Sequence, residues 1–380
     1  MNKSEKLKIV FLVTNDLVYD QRVLRHANSL KALNFEVELI GRIKPHTDRS
    51  LKIHFPNRRF KMLFNQSWMF YAEVNIRFFF YLLVKKFDVI WANDLDTLPA
   101  AYFISRLRKK KIFYDSHEFF TGVPELENRD FVKSIWVKME RYFLNRIPAK
   151  ITVSEGIANL YFEKYKTEFD VIRNISSDFT KNSESELPNI KGFQFDKPFF
   201  IYQGALNKDR GVESIIEMMK YIENYQLLLI GHGDLFNALT ELVKTSQLTQ
   251  KVFLTGLLSP EQLKSITPLA VLGFSIEMPT NDNYRYCLPN KLFDYIHAGI
   301  PTVAFPNSEI KKIFSQYKFG VLVENHLPTD LASNVLKFLS DEERYQSIKQ
   351  QLPLIATELS WDREAEKLGS IFNLFLKNQV

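Results

Sequence analysis

Residues 198–211 read Pro-Phe-Phe-Ile-Tyr-Gln-Gly-Ala-Leu-Asn-Lys-Asp-Arg-Gly. The run Phe199 to Tyr202 is apolar at every position instead of alternating. That marks a strand covered on both faces, and hence a parallel sheet flanked by helices. It stops at Gly204, and a polar turn carrying Lys208, Asp209 and Arg210 leads into a helical segment. Working outward, the same rhythm recurs downstream at Gln226 to Ile230, Lys251 to Thr255, Ala270 to Ser275, Pro301 to Phe305 and Gly320 to Val323. Upstream it recurs at Lys8 to Thr14, Glu36 to Ile40, Asp88 to Ala92, Lys111 to Asp115, Lys150 to Val153 and Asp170 to Arg173, with helical spacing beginning at Gln21, Asn65, Asp96, Phe131 and Glu155. Strands alternating with amphipathic helices predict an α/β protein.

A polar stretch from Ser176 to Lys191 interrupts the alternation and separates two parallel-sheet units, between which a ligand cleft is expected. The boundaries read as a first domain 1–176, a linker 177–192, a second domain 193–357 and a helical tail 358–380. A chain of 380 residues, 46% hydrophobic, suits two such domains. Its single cysteine, Cys287, excludes an internal disulfide and a zinc cluster and suits a reducing cytosol. Met1 to Lys8 is polar and lacks the apolar core of a secretory signal. The longest apolar stretch, Trp68 to Val84, contains Glu73, Asn75 and Arg77 and is not read as a membrane span. The net charge of +6 favours an anionic substrate or surface but is too small to indicate a nucleic-acid partner.

Glycine positions locate the ligand. After the first strand comes Thr14-Asn15-Asp16-Leu17, with no G-x-G-x-x-G, which argues against a nicotinamide-dependent dehydrogenase. Eight of the 13 glycines lie between Gly192 and Gly299, and Gly204, Gly231, Gly233 and Gly256 directly follow predicted strands. A phosphate needs backbone N–H groups without a Cβ in the way, so a nucleotide belongs to the second domain. Lys208 and Arg210 supply cations beside such a turn; an ordinary loop with a solvated Arg fits the same residues. Ile230-Gly231-His232-Gly233-Asp234 adds a strand-to-helix turn, which also occurs without any ligand. The longest pattern is Asn283 to Pro301, where Pro289 is placed at the first helical position, Gly299 at the stop, and Asn290 and Asp294 on one helix face. Asp294 is then suited to a ribose diol, or is an exposed helix carboxylate.

The ordered set Gly204, Arg210-Gly211, Gly231-His232-Gly233, Gly256, Leu288-Pro289-Asn290-Lys291-Leu292-Phe293-Asp294-Tyr295 and Ala298-Gly299-Ile300-Pro301 resembles the carboxyl-terminal half of family 4 glycosyltransferases. In the first half, Tyr19-Asp20-Gln21-Arg22-Val23, Ala92-Asn93-Asp94, Tyr114-Asp115-Ser116-His117-Glu118 and Ser154 agree with the same family. The resemblance implies a GT-B fold, two Rossmann-like domains facing a central cleft, with the last helix crossing back to the first. It implies a retaining glycosyltransferase of hexosyltransferase type, using a UDP- or GDP-linked sugar donor and a glycan or lipid-linked acceptor, in cell-surface polysaccharide biosynthesis of the bacterial type. A nucleotide-sugar binding protein without transferase activity and a GT-B nucleotide-sugar epimerase are the alternatives.

Carried over by position, Asp294 matches the second acid of the family's E-x7-E motif, which holds the ribose, and Tyr286 stands where the first acid would be. Arg210 replaces the phosphate-binding Lys, with Lys208 and Lys291 in support, and Gly204, Gly231, Gly233, Pro289 and Asn290 complete the donor side. His117 matches a histidine that reaches the donor sugar, so His117, Arg210 and Asp294 are the expected catalytic set. Asn15, Asp16, Arg22, Asp94 and Glu118 fall on the acceptor side. Asp94-Leu95-Asp96 has the form of a D-x-D metal motif, but so short a pattern arises easily among 44 acids, and no metal or other cofactor is expected. The chemistry requires stabilisation of a departing diphosphate more than a strong base. Finally, Arg58-Arg59-Phe60-Lys61, the aromatic stretch Trp68 to Tyr81, Lys85-Lys86 and the basic run Arg108 to Lys111 combine cations with aromatics. Such residues suit an anionic membrane surface, or are domain core with solvated cations; with the resemblance they imply a cytoplasmic protein in peripheral contact with an anionic membrane, at the inner face of the cell membrane.

Overall fold

The computed structural model describes residues 6–18, 20–44, 47, 52–123, 126–175 and 186–378. Met1 to Glu5, Tyr19 and positions 177–185 of the expected linker lie outside the described residues. The chain divides into two compact units, Met1–Arg173 with Glu364–Val380, and Asn174–Arg363.

The first unit is built on seven parallel strands: β1 (Lys8–Asp16), β2 (Glu36–Ile43), β3 (Asn57–Lys61), β4 (Val89–Asn93), β5 (Lys111–Ser116), β6 (Ala149–Thr152) and β7 (Asp170–Val171), in the order β3-β2-β1-β4-β5-β6-β7. β1 lies centrally, and every residue of β4 is buried, as an uninterrupted apolar run requires. Around Trp91 the core is aromatic: its ring stacks on Phe11 at 4.9 Å and Phe113 at 4.3 Å. The last helix, Trp361–Lys377, belongs to this unit from Glu364 onward and places Phe372 against Trp91 at 5.7 Å. Its start is tied by the Arg173–Glu364 pair at 2.7 Å and its end by Lys111 Nζ donating to the Leu376 carbonyl.

Hydrophobic patterning gives no sign of β3. Its sequence Asn-Arg-Arg-Phe-Lys is exposed or half-buried, it pairs only with β2, and its two arginines guard an open sheet edge against further strand addition. Phe60 packs against Phe78 and Tyr81, and Arg59 turns inward to Asp16 at 3.7 Å. The basic patch read there is therefore an edge strand.

The second unit holds six parallel strands, β8 (Phe199–Gln203), β9 (Gln226–Ile230), β10 (Val252–Gly256), β11 (Leu272–Ser275), β12 (Thr302–Ala304) and β13 (Gly320–Leu322), in the order β10-β9-β8-β11-β12-β13. Both sheets are doubly wound, so the strand order reverses beside β1 in one and β8 in the other. Such switch points lie at the carboxyl ends where α/β proteins bind ligands. One local expectation is corrected. Pro289 is not the first residue of its helix but the N-cap residue, at φ −63° and ψ 132°, and the helix runs Asn290–His297. The fixed φ of proline suits an extended cap as well as the first turn. Ahead of it a short helix, Asp282–Tyr286, is capped by Asn281, whose Oδ1 accepts from the Tyr284 N–H at 3.0 Å. Gly299, at φ +71°, ends the longer helix as expected.

Candidate active site

In the second unit the carboxyl ends of β8, β9 and β11 bring together residues far apart in sequence. Gly204 follows β8 at φ +131°, and Gly231 follows β9 at φ +145°. A Cβ on Gly231 would sit 1.8 Å from the Gly204 carbonyl oxygen, so the two turns touch backbone to backbone and neither tolerates a side chain. Lys291, on the first turn of the helix Asn290–His297, lies against Gly204, whose missing Cβ would stand 3.4 Å from Lys291 Cε. The Lys291 ammonium is buried, 4.0 Å from the centre of the Tyr202 ring, and donates to Glu277 Oε1 at 2.6 Å. Arg210 joins from the β8 turn, 3.5 Å from the same Glu277 oxygen and stacked 4.7 Å from the Tyr284 ring. Its Nε–H is buried without a hydrogen-bond partner among the described residues.

Two cations thus face one carboxylate. Burial alone would raise the Glu277 pKa, yet Lys291 and Arg210 hold it below the ordinary carboxylate value. Burial likewise opposes the Lys291 charge, and Glu277 outweighs it, leaving Lys291 raised. Cys287, close to the cluster, is pushed up to about 12 by burial and by Glu277, so it is a neutral thiol. Asp294, one turn along the helix from Asn290, accepts from Gln203 Nε2 at 2.7 Å, which fixes its carboxylate beside the end of β8. Lys208 is exposed, with its carbonyl accepting from Tyr284 OH, and Asn290 is exposed at the helix start. Gly233 packs on the Leu206 carbonyl and serves the turn itself. Tyr286 is half-buried at the end of the short helix.

The first unit gathers its polar residues at the carboxyl ends of β1, β4 and β5. Asp115 is wholly buried and receives Arg22 through Nε and Nη2 at 2.7–3.2 Å, while Arg22 Nη1 donates to the Ile172 carbonyl. His26 Nδ1 lies 3.0 Å from Asp115, and His117 Nε2 3.5 Å from it. His117 also faces Asp94, with Nδ1 3.3 Å from Oδ2 and the backbone N–H donating to Oδ1 at 2.8 Å. Burial works against the His117 imidazolium, but Asp94 and Asp115 push it up to about 9; His26, buried and next to Arg22, falls to about 4. One histidine is therefore charged at neutral pH and its neighbour is not. Asp94 holds φ +59° with ψ 162°, a conformation costly for a residue with a Cβ. Of the remaining expected residues, Asp16 is buried and accepts from Thr47, from Lys44 N–H and from Val18 N–H. Arg22 is likewise spent on Asp115 inside the unit. Asn15 is half-buried and Glu118 exposed. Asp94 and Asp96 turn to different partners, His117 and Thr14.

Comparison with known proteins bears on this geometry. Residues 183–353 match the family model of glycosyl transferases group 1. Over 98% of its length the chain is 21% identical to chitobiosyldiphosphodolichol beta-mannosyltransferase of Candida albicans, covering 89% of that protein. A 25% identical alignment to alpha-D-kanosaminyltransferase of Streptomyces kanamyceticus spans 47% of this chain and 46% of that one. The chain is a GT-B glycosyltransferase. The fold of this glycosyltransferase matches that of sucrose-phosphate synthase from Thermosynechococcus elongatus, with a TM-score of 0.78, 16% identity, and coverage of 98% of this chain and 100% of that one. It matches HepE from Anabaena in complex with UDP and glucose at a TM-score of 0.74 and 14% identity, covering 97% and 99% of the two chains.

Two residues of the glycosyltransferase escape sequence reasoning. Glu277 stands two positions past β11 in Ser-Ile-Glu-Met-Pro, where nothing local distinguishes it from any loop acid. Tyr202 reads only as strand core. Lys291 signalled itself through its place in the Leu-Pro-Asn-Lys run, but not its burial.

Proposed function

We propose that this glycosyltransferase is a retaining enzyme that takes its sugar from a nucleoside diphosphate sugar bound by the second unit. The observation that carries the reading is the pair of cations, Arg210 and Lys291, beside the side-chain-free turns of Gly204 and Gly231. The Gly204 and Gly231 N–H groups donate to the Ile230 and Gly256 carbonyls, so the turns supply close approach and the cations supply the charge a diphosphate needs, each hydrogen bond from a charged donor contributing about 1.5–3 kcal/mol. Charge grows on the diphosphate as the glycosyl bond breaks, so donors already fixed by Glu277 and Tyr284 stabilise the departing group without reorganising. Asp294 is held in position to accept from a ribose hydroxyl. No resident metal enters this reading, which is in keeping with the separate engagement of Asp94 and Asp96.

The acceptor falls to the first unit, at the strained Asp94 and the charged His117. A lipid-linked acceptor at an anionic membrane is favoured by an apolar cavity of about 670 Å³ lined by Trp68, Tyr71, Phe131, Ile135 and Trp136, with Arg129 at its wall. Trp68 and Phe131 are largely exposed, as are Ile76, Phe80 and Val84 along the helix Ser67–Val84, whose other face, Phe70, Val74, Phe78 and Leu82, is core. No helix among the described residues is long and apolar enough to cross a membrane. The name of the Candida relative, with its diphosphodolichol acceptor, points the same way. Thermal unfolding with UDP, GDP, CDP, TDP and ADP, with NAD as control, tests the donor site. A ligand at about 100 times its Kd stabilises by about 2.7 kcal/mol. Selective stabilisation by one nucleoside diphosphate is expected, and no shift with any of them overturns the reading.

A further inference from the structure

We propose that Glu277 is a positioning residue of the donor site: it fixes the Lys291 ammonium and the Arg210 guanidinium against the Gly204 turn and keeps Lys291 protonated when no ligand is bound. The inference rests on the diphosphate reading above and adds what holds that site charged. Glu277 is 2% exposed, and its two oxygens are used differently. Oε2 accepts from Ser275 Oγ at 2.9 Å, which orients the carboxylate; Oε1 takes Lys291 at 2.6 Å and faces Arg210 at 3.5 Å. The segment carrying it is itself clamped. Met278 N–H donates to the Asp209 carbonyl at 2.8 Å, and His326 Nε2 lies 2.9 Å from the Ile276 carbonyl.

The physical need is plain. An ammonium as deeply buried as that of Lys291 sheds its proton unless an anion faces it, and buried lysines without a partner titrate several pH units below the ordinary value. The groups around it are Glu277, Arg210, Tyr202 and Cys287, with Asp294 one turn further along its own helix. Arg210 repels the ammonium, the Cys287 thiol is neutral, and Asp294 is turned to Gln203. Glu277 is thus the counter-charge, and a carboxylate leaves two cations to an incoming diphosphate.

The experiment compares wild type, Glu277→Gln and the double variant Glu277→Gln with Lys291→Arg, measuring UDP and GDP affinity from pH 7 to 9.5, a range in which a terminal phosphate is already ionised. Wild-type affinity is expected to stay constant. In Glu277→Gln it falls about ten- to hundredfold as pH rises, because Lys291 loses its charge. The double variant restores a flat profile, since arginine does not deprotonate. A purely structural role for Glu277 would lower affinity equally at every pH, and that result overturns the proposal. A ligand-free readout separates this from the donor-site reading: the stability difference between Glu277→Gln and its double variant with Lys291→Met should change with pH across the same range. A difference that does not change overturns the proposal even where UDP binds; a changing difference with no nucleotide bound overturns the donor site alone. The Gln–Met pair removes the Lys291 ammonium along with its counter-charge and leaves Arg210, one-quarter exposed, as the cation common to both variants, so the difference between them reports Lys291 alone.

Discussion

Replacing His117 by Asn should cost stability in a way that depends on pH. His117 sits between Asp94 and Asp115, at 3.3 and 3.5 Å, and burial opposes its charge less than those carboxylates favour it, giving a pKa of about 9 against an ordinary 6.5. Folding therefore tightens proton binding. The resulting stability is present in full below pH 6.5 and is lost as pH rises through 9. At 1.36 kcal/mol per tenfold change in proton affinity, the rise corresponds to an upper figure of about 3 kcal/mol. His26, pulled down to about 4, and Asp96, raised to about 7 mainly by burial, titrate in both proteins, and the His117 charge is one of the smaller contributions to each. Urea unfolding at pH 6, 7.5 and 9.5, followed by tryptophan emission, measures it, since Trp68, Trp91 and Trp136 all belong to the first unit. The penalty of His117→Asn should be largest at pH 6 and small at pH 9.5. A penalty unchanged across that range would show that His117 is neutral in the folded protein and would remove the charged histidine from the site.

Phe372→Ala should destabilise the first unit by about 3–5 kcal/mol in the same unfolding assay, because it opens a cavity against Trp91 and Phe113. Gly231→Ala should abolish nucleoside diphosphate stabilisation, since its Cβ would displace the Gly204 turn; retained binding would mean that the two turns are not the phosphate shelf. Asp294→Ala should weaken binding of the preferred nucleoside diphosphate about tenfold or more, as loss of a charged hydrogen bond predicts, and unchanged affinity removes its ribose role. Trp68→Ser combined with Phe131→Ser should reduce co-sedimentation with anionic lipid vesicles at an unaltered unfolding midpoint, both side chains being largely exposed. Equal sedimentation would detach the cavity from membrane binding.

Which of these residues could be read from the sequence follows from how information is stored in it. β8 and β4 are uninterrupted apolar runs because both faces are covered, so the strands and the two-unit parallel architecture were legible. β3 was not, since an edge strand that resists aggregation carries arginines where a pattern search looks for apolar residues. The site divides the same way. Gly204, Gly231, Arg210 and Asp294 sit where a strand ends or a helix is punctuated, and local sequence reports such places. What makes Arg210 and Lys291 a charged site is Glu277, and that depends on β8 and β11 being neighbours in the sheet, a fact no window of sequence contains. Arg22 shows the converse: it is expected on the acceptor side from its place in the resemblance, and only packing reveals that its guanidinium is spent on Asp115. Sequence thus names the residues at strand ends, but which are held inside and which remain to meet a ligand is decided by partners that the fold alone brings within 3 or 4 Å, as the 2.6 Å approach of Glu277 to Lys291 illustrates.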